Sequence, residues 1–274
     1  METYLVDWID CNKLSLFGLS SNPSGIHIID YWFQTKEGNA GVESQSFTLQ
    51  DDEIDWNFLS ANPSAIPILE ANIDKINWVQ LSSNPNAMHI LEANLASVNW
   101  IKLSLNPSAI PLLEKNPKKI NWTLLSANPS AIQLLESNPE KINWKYLSLN
   151  PKAMHILEAN QDRIDWKSLS ANPSALYILE ENQEKIDWHI LSGNPNAVRL
   201  LEENEEQINI FYLSTNPSAI ALIEKLITKI SWRKLSANPC AIHILEQNQE
   251  RIHWATLSSN PAIFDFDKYS VVLK

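Results

Sequence analysis

An all-α, right-handed solenoid is the fold this sequence predicts, and three observations predict it. Tryptophans stand at 56, 78, 100, 122, 144, 166 and 188, then at 232 and 254, at steps of 22 or twice 22. Asn-Pro pairs keep the same step, beginning at Asn62, Asn84, Asn106, Asn128, Asn150, Asn172, Asn194, Asn216, Asn238 and Asn260. Fifteen prolines against five glycines suit short helices punctuated by turns better than a β protein or a phosphate-cradling loop. A unit of this size cannot bury its apolar face alone, so about ten of them must stack and share one core.

Counting Trp as position 1, the unit reads W-x-x-L-S-x-N-P-x-A-I-x-I-L-E-x-N-x-x-K-I-N/D, as in Trp122 to Asn143. Each unit predicts two helices. Asn or Asp precedes position 1 almost everywhere (Asp55, Asn77, Asn99, Asn121, Asn143, Asp165, Asp187, Asn209), the residue type that caps helix amides. The next Asn-Pro arrives six residues after the Trp, so this first helix is about one turn, of 3-10 type. The second, longer α-helix starts at Asn-Pro with proline at its first position, or two residues later; Pro67 and Pro111 favour the later start. It ends by the Asn of position 17, because Pro117 and Pro139 follow directly.

Positions 10, 11, 13 and 14 (Ala131, Ile132, Leu134 and Leu135 in one unit) cover an arc of about 160° on the longer helix and form the core face. Position 12 is the outward centre and the most varied: Pro67, His89, Pro111, Gln133, His155, Tyr177, Arg199, Ala221, His243.

Three segments follow from the pattern. Residues 1–55 form an N-terminal cap holding Trp8, a degenerate first unit (Leu16, Leu19, Ser20, Asn22, Pro23, Ile26, Ile28, Ile29) and a polar insertion loop, Thr35 to Glu53, with Gly38 and Gly41. Residues 56–262 are the tandem repeats. Residues 263–274 are an apolar C-terminal cap (Ile263, Phe264, Phe266, Tyr269, Val271, Val272, Leu273), with a sticky end that joins copies of the chain as the alternative.

The alternation of short and longer helices with L-S-x-N-P between them resembles the leucine-rich variant repeat, over about residues 54 to 262. Its tryptophan departs from that pattern, and the chain has no cysteine-rich segment, so the resemblance implies no metal cluster. Trp122, Leu125, Ser126, Asn128, Pro129, Ala131, Ile132, Leu135 and Glu136 are also similar to the Asn-Pro-x-Ala-Ile tandem repeats of giant DNA viruses of protists. That resemblance implies a viral protein in the host cytoplasm or the virion, and no activity.

The recurring residues have plain structural readings. The Trp column reads as a stacked core ladder, since Ile210 replaces it once; an exposed aromatic stripe for sugars or peptides is the alternative. Asn at positions 7 and 17 reads as capping and bridging. Glu at position 15 runs unbroken from Glu70 to Glu246, usually with a basic residue five later (Lys75, Lys119, Lys141, Arg163, Lys185, Lys229, Arg251). The pairing expected there is a ladder of ions. Leu226 replaces the Asn of position 17 in the unit that loses its Trp, which marks that unit as a kink or packing site.

A net charge of −11 argues against nucleic acid and for a basic protein partner. Cys11 and Cys240, far apart in the chain, form neither a disulfide framework nor a thiolate metal site, and no apolar run is long enough for a bilayer; both suit a cytoplasmic protein. No catalytic motif is present, and Ser and Glu recur in every unit, whereas a catalytic site is one constellation. The outward histidines 27, 89, 155 and 243 lie in units separated by about 10 Å per layer, too far to share a metal. The sequence therefore predicts no catalytic, cofactor or metal residues. It predicts a non-enzymatic scaffold for a protein partner, with His89, Gln133, His155, Tyr177, Arg199 and His243 as the candidate interaction surface, joined by the 35–53 loop. Glu202, Glu203, Glu205 and Glu206 form a candidate acidic patch. Self-association through the ends and glycan binding through aromatics such as Tyr177 are the alternatives.

Overall fold

A computed structural model describes residues 4–36 and 54–265 and shows an all-α repeat protein. The fullest repeats hold four short pieces, as in Trp122–Leu125 (α), Pro129–Ala131 (3-10), Ile132–Glu136 (α) and Pro139–Lys141 (3-10); in others, such as the repeat of Trp144, the Asn-Pro segment is a plain turn. The Trp element is thus α, not the 3-10 turn expected. Leu125 N donates to Asn121 O at 2.9 Å and Ser126 N to Trp122 O at 3.1 Å, bonds that reach back four residues. The cap makes this possible in so few residues: Asn121 Oδ1 accepts from Leu124 N at 2.9 Å, and Ser126 Oγ also donates to Trp122 O at 2.8 Å.

Both expected starts of the longer helix are used. Asn128 caps a 3-10 turn with proline at its first position, and the α-helix proper begins at position 11. Pro67 and Pro111 then fall in its first turn, where the missing N–H costs nothing. At the far end Asn138 Nδ2 bonds Leu134 O at 2.9 Å, satisfying a carbonyl that the ending helix leaves over. Where Leu226 replaces this Asn, the main chain substitutes: Leu226 N donates to Leu222 O at 3.0 Å and Ile223 O at 3.2 Å, and the helix runs Ile220–Lys225.

Core burial follows the repeat. Leu of position 4, Ala of position 10 and Leu of position 14 are sealed, as in Leu125, Ala131 and Leu135, each 0% exposed. Two polar ladders run beside them. The Ser of position 5 accepts the cap N–H of the next unit (Asn121 N to Ser104 Oγ, 3.0 Å; Asn143 N to Ser126 Oγ, 2.9 Å). The Asn of position 7 donates to two carbonyls of the unit before it, Ser104 O and Asn106 O for Asn128, both at 3.0 Å, and accepts from Ser130 N. These asparagines are buried, and every hydrogen-bonding atom of the Asn128 side chain is used.

The chain divides into two compact units, residues 78–231 and residues 1–77 with 232–274. The first consists of regular repeats. In the second, the last repeat is assembled from both ends of the chain. It begins at Trp254 and is completed by residues 10–15: Asp10 caps the 3-10 turn Cys11–Lys13, Lys13 sits 4.9 Å from the Trp254 ring, Leu14 is sealed, and Ser15 N donates to Ser258 Oγ at 2.9 Å. Helix α1 (Leu16–Ser21) then stacks on this repeat as its successor. Asn22 Nδ2 donates to Ser258 O at 3.0 Å and Asn260 O at 2.9 Å, the bonds a next unit would make. Strand β1 (Tyr4–Leu5) pairs antiparallel with β2 (Phe264–Asp265), closing the junction.

Two expectations about the ends are corrected by this, the assignment of residues 10–15 and the start of the insertion loop. Residues 10–15 belong to the last repeat, not to a separate cap. Ile263 and Phe264 are buried at the junction with the N-terminal segment, Phe264 with its ring 5.1 Å from that of His27. Thr35 and Lys36 end helix α2 (Ile26–Lys36), which continues where the Asn of position 17 is replaced by Trp32. The remainder of the expected loop, 37–53, and the C-terminal residues 266–274 lie outside the described residues.

Candidate interaction surface

Position 12 faces outward as expected: His89, Gln133, His155, Tyr177, Arg199 and His243 are all exposed. Three of them are tied to the Glu of position 15 in the preceding unit. His155 Nε2 lies 2.8 Å from Glu136 Oε1, the Tyr177 hydroxyl donates to Glu158 Oε1, and Arg199 Nη2 donates to Glu180 Oε1 at 2.7 Å. Arg199 also reaches Glu203 at 3.4 Å, and both carboxylates raise its already high pKa, the hydrogen bond to Glu180 foremost. The outcome is a polar stripe from Glu136 to Glu203, built of three pairs in which one unit's acid holds the next unit's variable residue.

The ladder expected between Glu and the basic residue five later is therefore corrected. Glu136, Glu158 and Glu180 point along the outward row, and the basic residues lie over the indoles instead. Lys119, Lys141, Arg163 and Lys185 stand 4.3, 4.4, 4.6 and 4.4 Å from the centres of Trp100, Trp122, Trp144 and Trp166; Lys75 and Arg251 do the same at Trp56 and Trp232, at 5.2 and 5.1 Å. Position 20 projects from the 3-10 turn back over the ring of its own unit, where the electron-rich face attracts the cation.

The tryptophans are consequently half-buried rather than sealed. One indole face is occupied by a cation in six of the nine repeats with a Trp, and Lys13 serves Trp254.

In the acidic patch Glu202, Glu203, Glu205 and Glu206 are all exposed, Glu203 meeting Arg199 and Glu205 meeting Lys225. Two features had no sequence reading. Phe211 and Tyr212, beside the Ile210 substitution, are 50% and 38% exposed and pack edge to face at 5.6 Å. His253 caps the helix at Trp254, its Nδ1 accepting from Thr256 N at 3.2 Å; its place before a Trp was the available signal.

Among the described residues, no three His, Cys, Asp or Glu side chains gather where a metal would be held, and no helix is long and apolar enough to cross a membrane. Comparison with protein-family models, curated proteins and solved structures gives no match for this chain.

Proposed function

We propose that this chain is a non-enzymatic repeat scaffold that binds a protein partner through its outward row. The observation that carries the reading is the stripe itself. Six side chains, Glu136, His155, Glu158, Tyr177, Glu180 and Arg199, are linked pairwise across successive units, five of them exposed and Glu180 half-buried, while the surrounding sequence is held constant for packing. Pairing to a neighbour limits rotamer freedom before a partner arrives, which lowers the ordering cost of binding. A tyrosine and an arginine at the centre supply the residue types that dominate protein interfaces.

The recurring serines support a non-catalytic reading, because Oγ of Ser104 and Ser126 already donates to the Trp carbonyl and accepts the next cap amide. Cations over the indoles weigh against sugar stacking on those faces. Self-association through chain ends draws no support from ends that pair with each other. A host-cytoplasm or virion setting rests on the resemblance to giant-virus repeats alone.

The test is affinity capture with the intact protein, the triple variant His155→Ala, Tyr177→Ala, Arg199→Ala, and a control altered on another face, Lys145→Ala with Lys167→Ala. A partner bound by the intact protein and the control, with Kd weakened at least about tenfold by the triple variant, supports the reading. Equal binding by all three locates recognition elsewhere and removes it.

A further inference from the structure

Six repeats show what the space above the indole of position 1 holds: a lysine ammonium or an arginine guanidinium supplied by position 20 of the same unit. Two of them show the full acceptor set. Lys141 Nζ is 4.4 Å from the Trp122 ring centre, 2.9 Å from Asn138 Oδ1 and 4.0 Å from Glu140 Oε1. Lys185 Nζ repeats the arrangement with Trp166, Asn182 and Glu184, at 4.4, 2.9 and 4.0 Å. Indole at position 1, amide oxygen at position 17 and carboxylate at position 19 together recognise one side-chain cation.

The next unit keeps all three acceptors and loses the cation. Trp188, Asn204 and Glu206 stand at positions 1, 17 and 19, and Gln207 replaces the basic residue. The backbone is unchanged. Asn204 has φ −136° and ψ 52° against −135° and 48° at Asn182, its Nδ2 bonds Leu200 O at 2.9 Å as Asn182 bonds Ile178 O, and Glu205–Gln207 forms the same 3-10 turn as Gln183–Lys185. Fixing Nδ2 on the helix carbonyl leaves Oδ1 turned as in the cation-holding copies. Glu206 is exposed, and the chain as a whole is acidic, so the local field favours an incoming positive group.

We propose that Trp188, Asn204 and Glu206 form a recognition site for a lysine or arginine side chain of the partner protein. The site deepens the scaffold reading and rests on it. Trp78 is a comparison within the same chain, since its unit also lacks the cation but carries Ala96 and Ser97 at positions 19 and 20 and so lacks the carboxylate.

The experiment is titration of the full-length protein, with nitrogen-15-labelled indoles observed by NMR, using tri-lysine, tri-arginine and fully acetylated tri-lysine peptides. The Trp188 resonance, assigned by Trp188→Phe, is expected to move saturably with the two cationic peptides and not with the acetylated one, with Trp166 unmoved and Trp78 moved less. Gln207→Lys restores the repeat's own residue and is not expected to impair folding; its intramolecular ammonium should abolish the shift. Glu206→Gln should weaken binding roughly two- to fivefold. A Trp188 shift no larger than that of Trp166, or one that persists in Gln207→Lys, overturns the proposal. The triple variant on the outward row leaves these indoles untouched, so loss of partner binding there and loss of the peptide response here fail separately.

Discussion

Single residues set the rigidity of this chain, and the Asn of position 7 does most. Asn128 Nδ2 holds Ser104 O and Asn106 O while its Oδ1 holds Ser130 N, with the side chain sealed from water. Asn128→Ala would leave two buried carbonyls and one amide without these partners, so a loss of about 2–4 kcal/mol in urea-unfolding stability is expected. Asn138→Ala, at the more open position 17, should cost less. An equal cost at both positions would show that the ladder is not the source. His27 provides a pH signature. It remains solvent-exposed on one side, yet burial against Phe264 lowers its pKa below the ordinary 6.5, opposed by a hydrogen bond with the Ser24 backbone. The unfolded chain then binds the proton more readily than the folded one. Stability is expected to fall as pH drops through about 6.5 and to level off once the folded-state histidine is also charged. His27→Gln should flatten that part of the thermal stability profile. The capping role of Asn was legible because its chemistry is local; the covered indoles were not, since periodicity shows that Lys follows Trp by 19 residues but not that a turn folds it back.

Elements are held by their neighbours rather than by their own length. Four-residue helices such as Trp122–Leu125 are far below what forms in isolation, so each start and stop must be tied to the unit before or after. Ser126 makes this coupling explicit, donating to Trp122 O and accepting from Asn143 N, and so joining the end of one Trp helix to the start of the next. Ser126→Ala is expected to destabilise by about 1–3 kcal/mol, with hydrogen exchange at the Asn143 amide accelerating more than elsewhere. Ser130→Ala, at exposed position 9, should leave exchange at Asn143 unchanged. The two main helices of each unit, their order and their core face could be read from the repeat. The α character of the Trp helix could not, because one turn of either helix type has the same spacing and only the reach of the Ser and Asn side chains decides between them. The 3-10 turn at positions 18–20 was likewise silent, hidden behind the Asn that ends the longer helix.

At the scale of the whole molecule, the unit made of residues 1–77 and 232–274 depends on a contact between chain ends, and one glycine reports it. Position 3 is Phe58, Gln80, Lys102, Leu124, Tyr146, Ser168, Ile190, Tyr212, Lys234 and Thr256 elsewhere, but Gly18 in the first unit. A Cβ at Gly18 would lie 2.5 Å from Ser258 Cβ and 2.7 Å from Ala255 O, groups that cannot swing aside. Glycine is there because α1 approaches the last repeat too closely for any side chain. The signal was present in the sequence, but it has meaning only once the last repeat is known to be the neighbour. Lys13, Leu14 and Ser15 were equally visible as an echo of the K-I-N that closes other units, detached from the tryptophan they serve by 240 residues of chain. Gly18→Ala should therefore force α1 away from residues 255–259, costing about 1–3 kcal/mol and raising hydrogen exchange at Val6 and Ser15, whose amides bond Ile263 O and Ser258 Oγ. Gly193→Ala is the matched control: the nearest atom to its added Cβ is 3.6 Å away, and stability should be unchanged or slightly higher. Similar melting temperatures and exchange for the two variants would mean that the first and last repeats do not pack together in solution. Selective loss at Val6 and Ser15 in Gly18→Ala would establish that the two ends build one repeat between them.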